Sequence, residues 1–520
     1  MRLALEVSFS MAAPEDNDVF PNLEGDDGND DDWESYYSSE DGSSSSSDEV
    51  AEEDMSLQTS CSTRMDAFPD ELLLEVLGRI DDPLTLLDVV PLVCKRWHRL
   101  SRDPGAWNSA TVSIVGCSYF DDGDIGDEHE NHDKILNAAR VLLHAPALRR
   151  VSFGWYTNSP GPFSCPYDEE TMTSALLRSR AEVREIEFPQ PEILEGSGGL
   201  GYPDDPLEDM SPEDLSLLAD FLWRNRSHVR YLKLGHMLRA GTPLLCALGQ
   251  CENLEELHLM LPVPDYFRRY LGQLGGRRLP KLRRLTLDSW YNVDGYRAFL
   301  EDLVGCVAQS VRHIHCEESC ESSEDVLSQL SRCVELRSLH CGMEGVASVR
   351  TLTKLRSLTL VIHYSDKDQQ RVLSAAERAL RACGELQALQ ELRLDGGYDY
   401  RRNKWSAEHG QALATLLATL ATKATNVRHL STSGMLNRQL CWSGTMLGFF
   451  KALPRLESLH IGRFRFDCLP DLAEVAGLKR VSGQVTYQKG EADFCRATLE
   501  QFKRARPEVD CQLTEHESLY

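Results

Sequence analysis

From residue 148 onward one spacing of apolar positions returns along the chain: an aliphatic residue, two variable residues, a second aliphatic, one variable residue, and a third. It reads LRRVSF (148), VREIEF (183), VRYLKL (229), LEELHL (254), LRRLTL (282) and VRHIHC (311), then LRSLHC (336), LRSLTL (355), LQELRL (389), VRHLST (427), LESLHI (456) and LKRVSG (478). In an extended strand, positions four and six fall on one face and positions three and five on the other. Between copies, DKILNAARVLLHAP, EDLSLLADFLWRN, AAERALRACGEL and QALATLLATLATKA carry apolar residues at helical spacing. Strand and helix alternating at this period predict a solenoid, in which no unit buries its apolar face alone.

A different pattern precedes the repeats. Leu73, Val76, Leu77 and Ile80 fall at i, i+3, i+4 and i+7 on a helix that opens at Pro69, with Asp70 and Glu71 set to complement its dipole. Asp81-Asp82-Pro83 ends it, LTLLDVV makes a second helix, and Pro91 restarts a third through LVCKRWHRL, where Val93, Trp97 and Leu100 share a face. Trp107 follows a DPG turn. About forty residues seldom fold robustly alone, so this unit is expected to lean on a neighbour or a partner.

These residues resemble the F-box, the adaptor-binding module of substrate receptors in SCF-type cullin-RING ubiquitin ligases. The likeness lies in Phe68-Pro69, Glu71-Leu72-Leu73, Val76-Leu77, Leu86-Leu87, Val93-Cys94-Lys95-Arg96-Trp97 and Trp107; Pro91 departs from the usual residue before Val-Cys. The resemblance implies that Phe68, Pro69, Leu72, Leu73, Val76, Leu77, Ile80, Leu86, Leu87, Val93, Cys94, Trp97 and Trp107 bind a Skp-type adaptor, and through it a cullin and a RING protein. The face of Leu73, Val76, Leu77 and Ile80 would enter the adaptor's groove.

The later copies resemble leucine-rich repeats, since six of their eleven intervals lie between 20 and 29 residues. None carries Asn or Cys at the ninth position, where the family uses it to satisfy turn backbone, so an irregular horseshoe is expected. The fold class is therefore α/β: a short three-helix F-box (65–110), then a leucine-rich-repeat solenoid (111–487) with parallel strands on the concave face and helices on the convex one. ADFCRATLEQFKRARPEVDCQL, within 488–520, predicts a helix and strand capping the last repeat. Together the two resemblances imply a substrate receptor whose repeats bind a protein target; a non-ligase scaffold using the same parts is the alternative.

Charge refines this picture. Residues 1–64 hold eighteen Asp and Glu against Arg2 and Arg64, so this Ser-rich tail supplies −16 of the net −27 and leaves −11 for the remainder. Such a tail lacks the apolar residues to offset its ordering entropy and is expected to be disordered. The acidic balance argues against nucleic acid as a partner. Sixteen scattered cysteines suggest a reducing compartment, cytoplasmic or nuclear. No apolar run of membrane-spanning length occurs, and MRLALEVSFS lacks a secretory cleavage pattern.

Candidate target-binding residues come from strand positions three and five, which face the concave side: Lys233, His258, Arg284, His313, His315, His340, Arg393, His429 and His460. A long insertion adds Tyr398, Arg402 and Trp405. Position two supplies Arg149, Arg184, Arg230, Arg283, Arg312, Arg337, Arg356 and Arg428 along one rim. Guanidinium forks suit an acidic or phosphorylated target, and histidines near pKa ~6.5 would add pH sensitivity. HIHCEESC (313–320) looks metal-like, but Cys316 and Cys341 hold the inward sixth position and read as small apolar residues. DEHENHD (127–133) reads as a solvated insertion. No phosphate loop, nucleophile elbow or RING-type cysteine array occurs, so no catalytic residue, metal or cofactor is assigned.

Overall fold

The computed structural model describes residues 68–115, 128–154, 166–188, 212–235, 242–261, 278–289, 297–316, 328–343, 346–362, 369–396, 423–434 and 449–517. The acidic tail, the insertion holding Tyr398, Arg402 and Trp405, and the helix expected at QALATLLATLATKA lie outside them. The chain divides into Met1–Thr63 and Arg64–Tyr520, and the second unit is described here.

Fourteen strands form one open sheet in strict chain order, every neighbouring pair parallel. They are β1 (Thr111–Val115), β2 (Ala147–Gly154), β3 (Glu182–Phe188), β4 (Tyr231–Leu234), β5 (Glu256–Leu261), β6 (Arg284–Ser289) and β7 (His313–Cys316). The second half comprises β8 (Ser338–Gly342), β9 (Ser357–Ile362), β10 (Glu391–Gly396), β11 (His429–Gly434), β12 (Ser458–Arg465), β13 (Arg480–Tyr487) and β14 (Asp510–Glu517). Twelve carry the predicted copies. The other two, β1 and β14, flank them and lack the full leucine spacing.

The predicted alternation holds residue by residue. All twelve first-position side chains, Leu148 through Leu478, are 2% exposed or less, and the fourth position is buried throughout. Cys316 and Cys341 pack inward at position six, and Cys251, Cys333 and Cys383 are buried beside them. Helices cover this apolar side, among them α4 (Glu128–His144), α5 (Pro166–Arg178), α6 (Pro212–Asn225), α7 (Thr242–Leu248), α8 (Arg297–Val307), α9 (Gln369–Glu385), α10 (Leu469–Ala473) and α11 (Ala492–Ala505). On α6, Leu217, Leu218, Phe221 and Leu222 bury one face, and Phe221 meets the Phe153–Phe188 stack edge-on at 6.2 Å. DEHENHD, expected as a solvated insertion, forms from Glu128 onward the first turns of α4.

With the ninth-position ladder missing, other side chains join the turns. The residue just before the first leucine does so repeatedly: Asn253 donates to the Ser227 carbonyl (2.6 Å), Ser310 to Leu279 (2.9 Å) and Asn426 to Gln387 (2.8 Å). Lys281 and Arg455 then donate to Asn253 and Asn426. Arg224 and Arg506 each spread one guanidinium over three carbonyls of the preceding repeat. Asn225, only 5% exposed, accepts from the Val183 amide (2.9 Å) and donates to Phe221 O (3.1 Å).

Gly483 is sterically required. At Gly483, φ is +142° and a Cβ would sit 1.8 Å from the Ile461 carbonyl, beside the register shift between Ile461 and Arg463. Asn225→Ala should lower unfolding free energy by about 1–3 kcal/mol, because it strands a buried amide. Gly483→Ala should cost on the order of 2 kcal/mol or more, since backbone must move. Denaturant unfolding checks both, and wild-type midpoints in either variant would refute its assigned role.

Candidate functional site

The helical module at the start of the described chain holds the first candidate surface. Helix α1 (Asp70–Leu77) begins after Pro69, and its dipole is complemented by Asp70, which ion-pairs with Arg96 (2.6 Å) and with Arg99. The hydrogen bond from Arg96, ahead of the other causes, holds the Asp70 carboxyl below its usual range. Asp82 accepts from the amides of Leu84 and Thr85 and so starts the next helical run. That run is a π turn, Thr85–Val89, leading into α2 (Val90–Val93), which holds Pro91 in its first turn. Cys94 is then fully extended (φ −164°, ψ 169°), and α3 (Lys95–Leu100) starts afresh. The third helix therefore does not run from Pro91, and the break removes Val93 from the face shared by Trp97 and Leu100.

These breaks divide the thirteen expected adaptor-binding residues into three groups. Leu73, Leu77, Leu86 and Trp107 lie in the chain's own core, Trp107 at 2% exposure with its indole N–H on the Ser101 carbonyl (2.6 Å). The assignment of these four to an adaptor groove is corrected: they hold the module together, and none reaches a partner unless it opens. Ile80, Leu87 and Trp97 are partly buried against the same core. Phe68, Pro69, Leu72, Val76, Val93 and Cys94 are exposed. Helix α1 thus bears two apolar stripes, with Leu73 and Leu77 inward and Leu72 and Val76 outward one turn apart, while Phe68, just before the helix, is exposed as well. Reading the sequence overlooked Val89 and Leu92; Leu92 is 84% exposed, and the apolar run VVPLV, too continuous for one face, was the available signal.

Residues 65–113 match the F-box-like family model. The F-box-like domain shares one continuous core with the solenoid. Trp107 sits in a 3-10 turn (Pro104–Trp107) that leads almost directly into β1, Asp88 pairs with Arg140 of α4 (2.8 Å), and Ala110 O accepts from Arg149 (2.9 Å). Among curated proteins, none matches the chain. Among solved structures, a crystal structure of a TLR13-ssRNA13 complex is similar at 10% identity and a TM-score of 0.27, covering 80% of this chain and 57% of that one. The chain thus spans little more than half of that chain's length, and the fold rests on the strand ladder rather than on this likeness.

The second candidate surface is the strand face opposite the helices. Register aligns position three as Arg150, Glu185, Tyr231, Glu256, Arg284, His313, Ser338, Ser357, Glu391, His429 and onward. Position five aligns Glu187, Lys233, His258, Thr286, His315, His340, Thr359 and Arg393, with His460 further along. The predicted residues that are described therefore do share one face.

Their charge is largely spent internally. Arg150 pairs with Glu185 (2.8 Å), Arg284 with Glu256 (3.0 Å), Arg393 with Asp395 (3.2 Å) and Arg480 with Asp510 (3.0 Å). The His315 and His340 rings lie 4.0 Å apart. Burial, then His315, push His340 down to about 4. Burial and nearby arginines lower His313 and His460, and His460 shares a hydrogen bond with Ser482 (2.9 Å). His258 Nε2 is buried 3.6 Å from the Asp288 carboxylate without a hydrogen bond. His313, His340 and His460 are thus neutral near pH 7, and the face is a polar surface rather than a cationic stripe. Among the described residues no cluster of three or more metal-binding side chains is arranged to hold an ion, and no helix is long and apolar enough to cross a membrane.

Because His340 takes up its proton less readily folded than unfolded, acid should favour the unfolded chain as pH falls from about 6.5 toward 4. His340→Gln should flatten the fall of the thermal midpoint across that window. An unchanged slope would show that the imidazole is not held neutral by its surroundings.

Proposed function

We propose that the chain is the substrate-recognition subunit of an SCF-type ubiquitin ligase. Its F-box-like domain docks on a Skp-type adaptor, which brings a cullin and a RING protein, and its repeats hold the protein target. The chain catalyses nothing in this reading; ubiquitin transfer belongs to the partners. The observation that carries it is the exposed set Phe68, Leu72, Val76, Val89, Leu92 and Val93 on a domain whose other large aliphatic and aromatic residues pack into or against its own core. Exposed apolar side chains gathered on one small domain are what a partner interface requires. Each buried aliphatic would contribute about 1.5–3 kcal/mol before association entropy is subtracted.

Substitutions on the two stripes of α1 separate adhesion from stability. Leu72→Asp with Val76→Asp should remove adaptor co-purification, a loss of about 3–6 kcal/mol, while the thermal midpoint stays near wild type. Leu73→Asp should instead lower the midpoint, because it buries an unpaired charge. Full adaptor recovery by the Leu72/Val76 variant would sink the docking face, and failure of a cullin to co-precipitate with wild type would exclude the ligase reading.

A further inference from the structure

The positive charge that the strand face has neutralised survives on its rim. At position two, Arg149 pairs with Glu185 (3.2 Å), Arg230 with Glu255 (3.9 Å), Arg428 with Glu457 (3.4 Å) and Lys479 with Glu457 (2.9 Å). Arg184 has no such partner among the described residues, and further along the pairing stops in four successive repeats. Arg283, Arg312, Arg337 and Arg356 have no side-chain hydrogen-bond or ion-pair partner among the described residues. The block is bounded by Glu255 on one side and Gln390 on the other.

Backbone geometry fixes these four in a row. The Arg283 carbonyl accepts from the Arg312 amide (2.9 Å), Arg312 from Arg337 (2.8 Å) and Arg337 from Arg356 (2.8 Å). Their Cα atoms therefore step along the solenoid at about the strand spacing of ~4.8 Å, and the row spans about 14 Å. Beside it, position three offers His313, Ser338 and Ser357, all on the same open face. The nearby acid, Glu335, is ion-paired with Lys354, and Arg337 and Arg312 add more weakly to the stabilisation of its carboxylate. The result is a row of guanidinium forks backed by a neutral imidazole and two hydroxyls, all of them able to donate to anionic oxygens.

We infer that the rim of β6–β9, carried by Arg283, Arg312, Arg337 and Arg356, binds an extended protein segment dense in carboxylates or phosphoserines. An extended chain advances about 3.3 Å per residue, so some four or five residues cover the row. A protein segment fits better than nucleic acid because residues 65–520 as a whole, rim arginines included, carry −11 and repel a long polyanion beyond the rim. This inference rests on the repeats being the target-binding part, and it supplies the chemistry of the target.

The test uses the full chain and labelled peptides of about eight residues at low salt: one glutamate-rich, one phosphoserine-rich and a glutamine counterpart, with an oligouridylate of matched charge. Either anionic peptide should bind, the stronger of the two identifying the source of the anionic oxygens, and the glutamine peptide should not. Arg312→Glu with Arg337→Glu should weaken that binding on the order of 10- to 100-fold. Lys489→Glu with Arg504→Glu, an equal change of net charge elsewhere, should leave it within about two-fold. Thermal midpoints and adaptor co-purification should match wild type in both variants, so failure here is distinguishable from failure of the F-box reading. Equal binding by the rim and control variants, no binding of either anionic peptide, or tighter binding of the oligouridylate would each overturn the inference.

Discussion

Everything in this chain depends on a backbone contact made again and again: the carbonyl at position two of one repeat accepts amide hydrogens from positions two and three of the next. A single repeat cannot bury its leucines, and the ladder closes only when a neighbour presents the same register. Side-chain periodicity and backbone pairing therefore enforce each other. A slip of one residue would turn every leucine of that strand toward water.

The same constraint explains what the sequence discloses. Positions one, four and six are repetitive because they face a shared interior, so twelve strands are legible from leucine spacing alone. The flanking strands are harder to see. β1 is entered from the F-box-like domain, and β14 stands at the open edge, where Cys511 and Leu513 are only partly buried. The substitute for the missing asparagine ladder was also invisible, because it is spread over residue types: Asn253, Ser310 and Asn426 act through their positions rather than a motif.

The candidate sites show a complementary limit. Motif spacing locates the F-box-like domain, yet it cannot tell Leu72 from Leu73, adjacent residues with opposite fates. The difference follows from the helix phase relative to Leu86 and Trp107, which belongs to packing. Likewise, Arg230 and Arg337 both hold the second position of a repeat. Register sets Glu255 beside the first and Arg312 and Arg356 beside the second. Cross-strand neighbours, 22 to 36 residues away in the charge pairs described at positions two and three, decide which charges remain available to a partner.

The continuous core between the F-box-like domain and β1 has a geometric consequence. With Trp107 packed four residues before the first strand, the junction is a splice rather than a tether. A molecule held at a given repeat keeps a fixed bearing to the domain's exposed face. Distance from that face is then counted in strands, and the solenoid becomes a ruler graded at about 4.8 Å per repeat. Insertion or loss of one repeat would shift everything beyond it by one graduation.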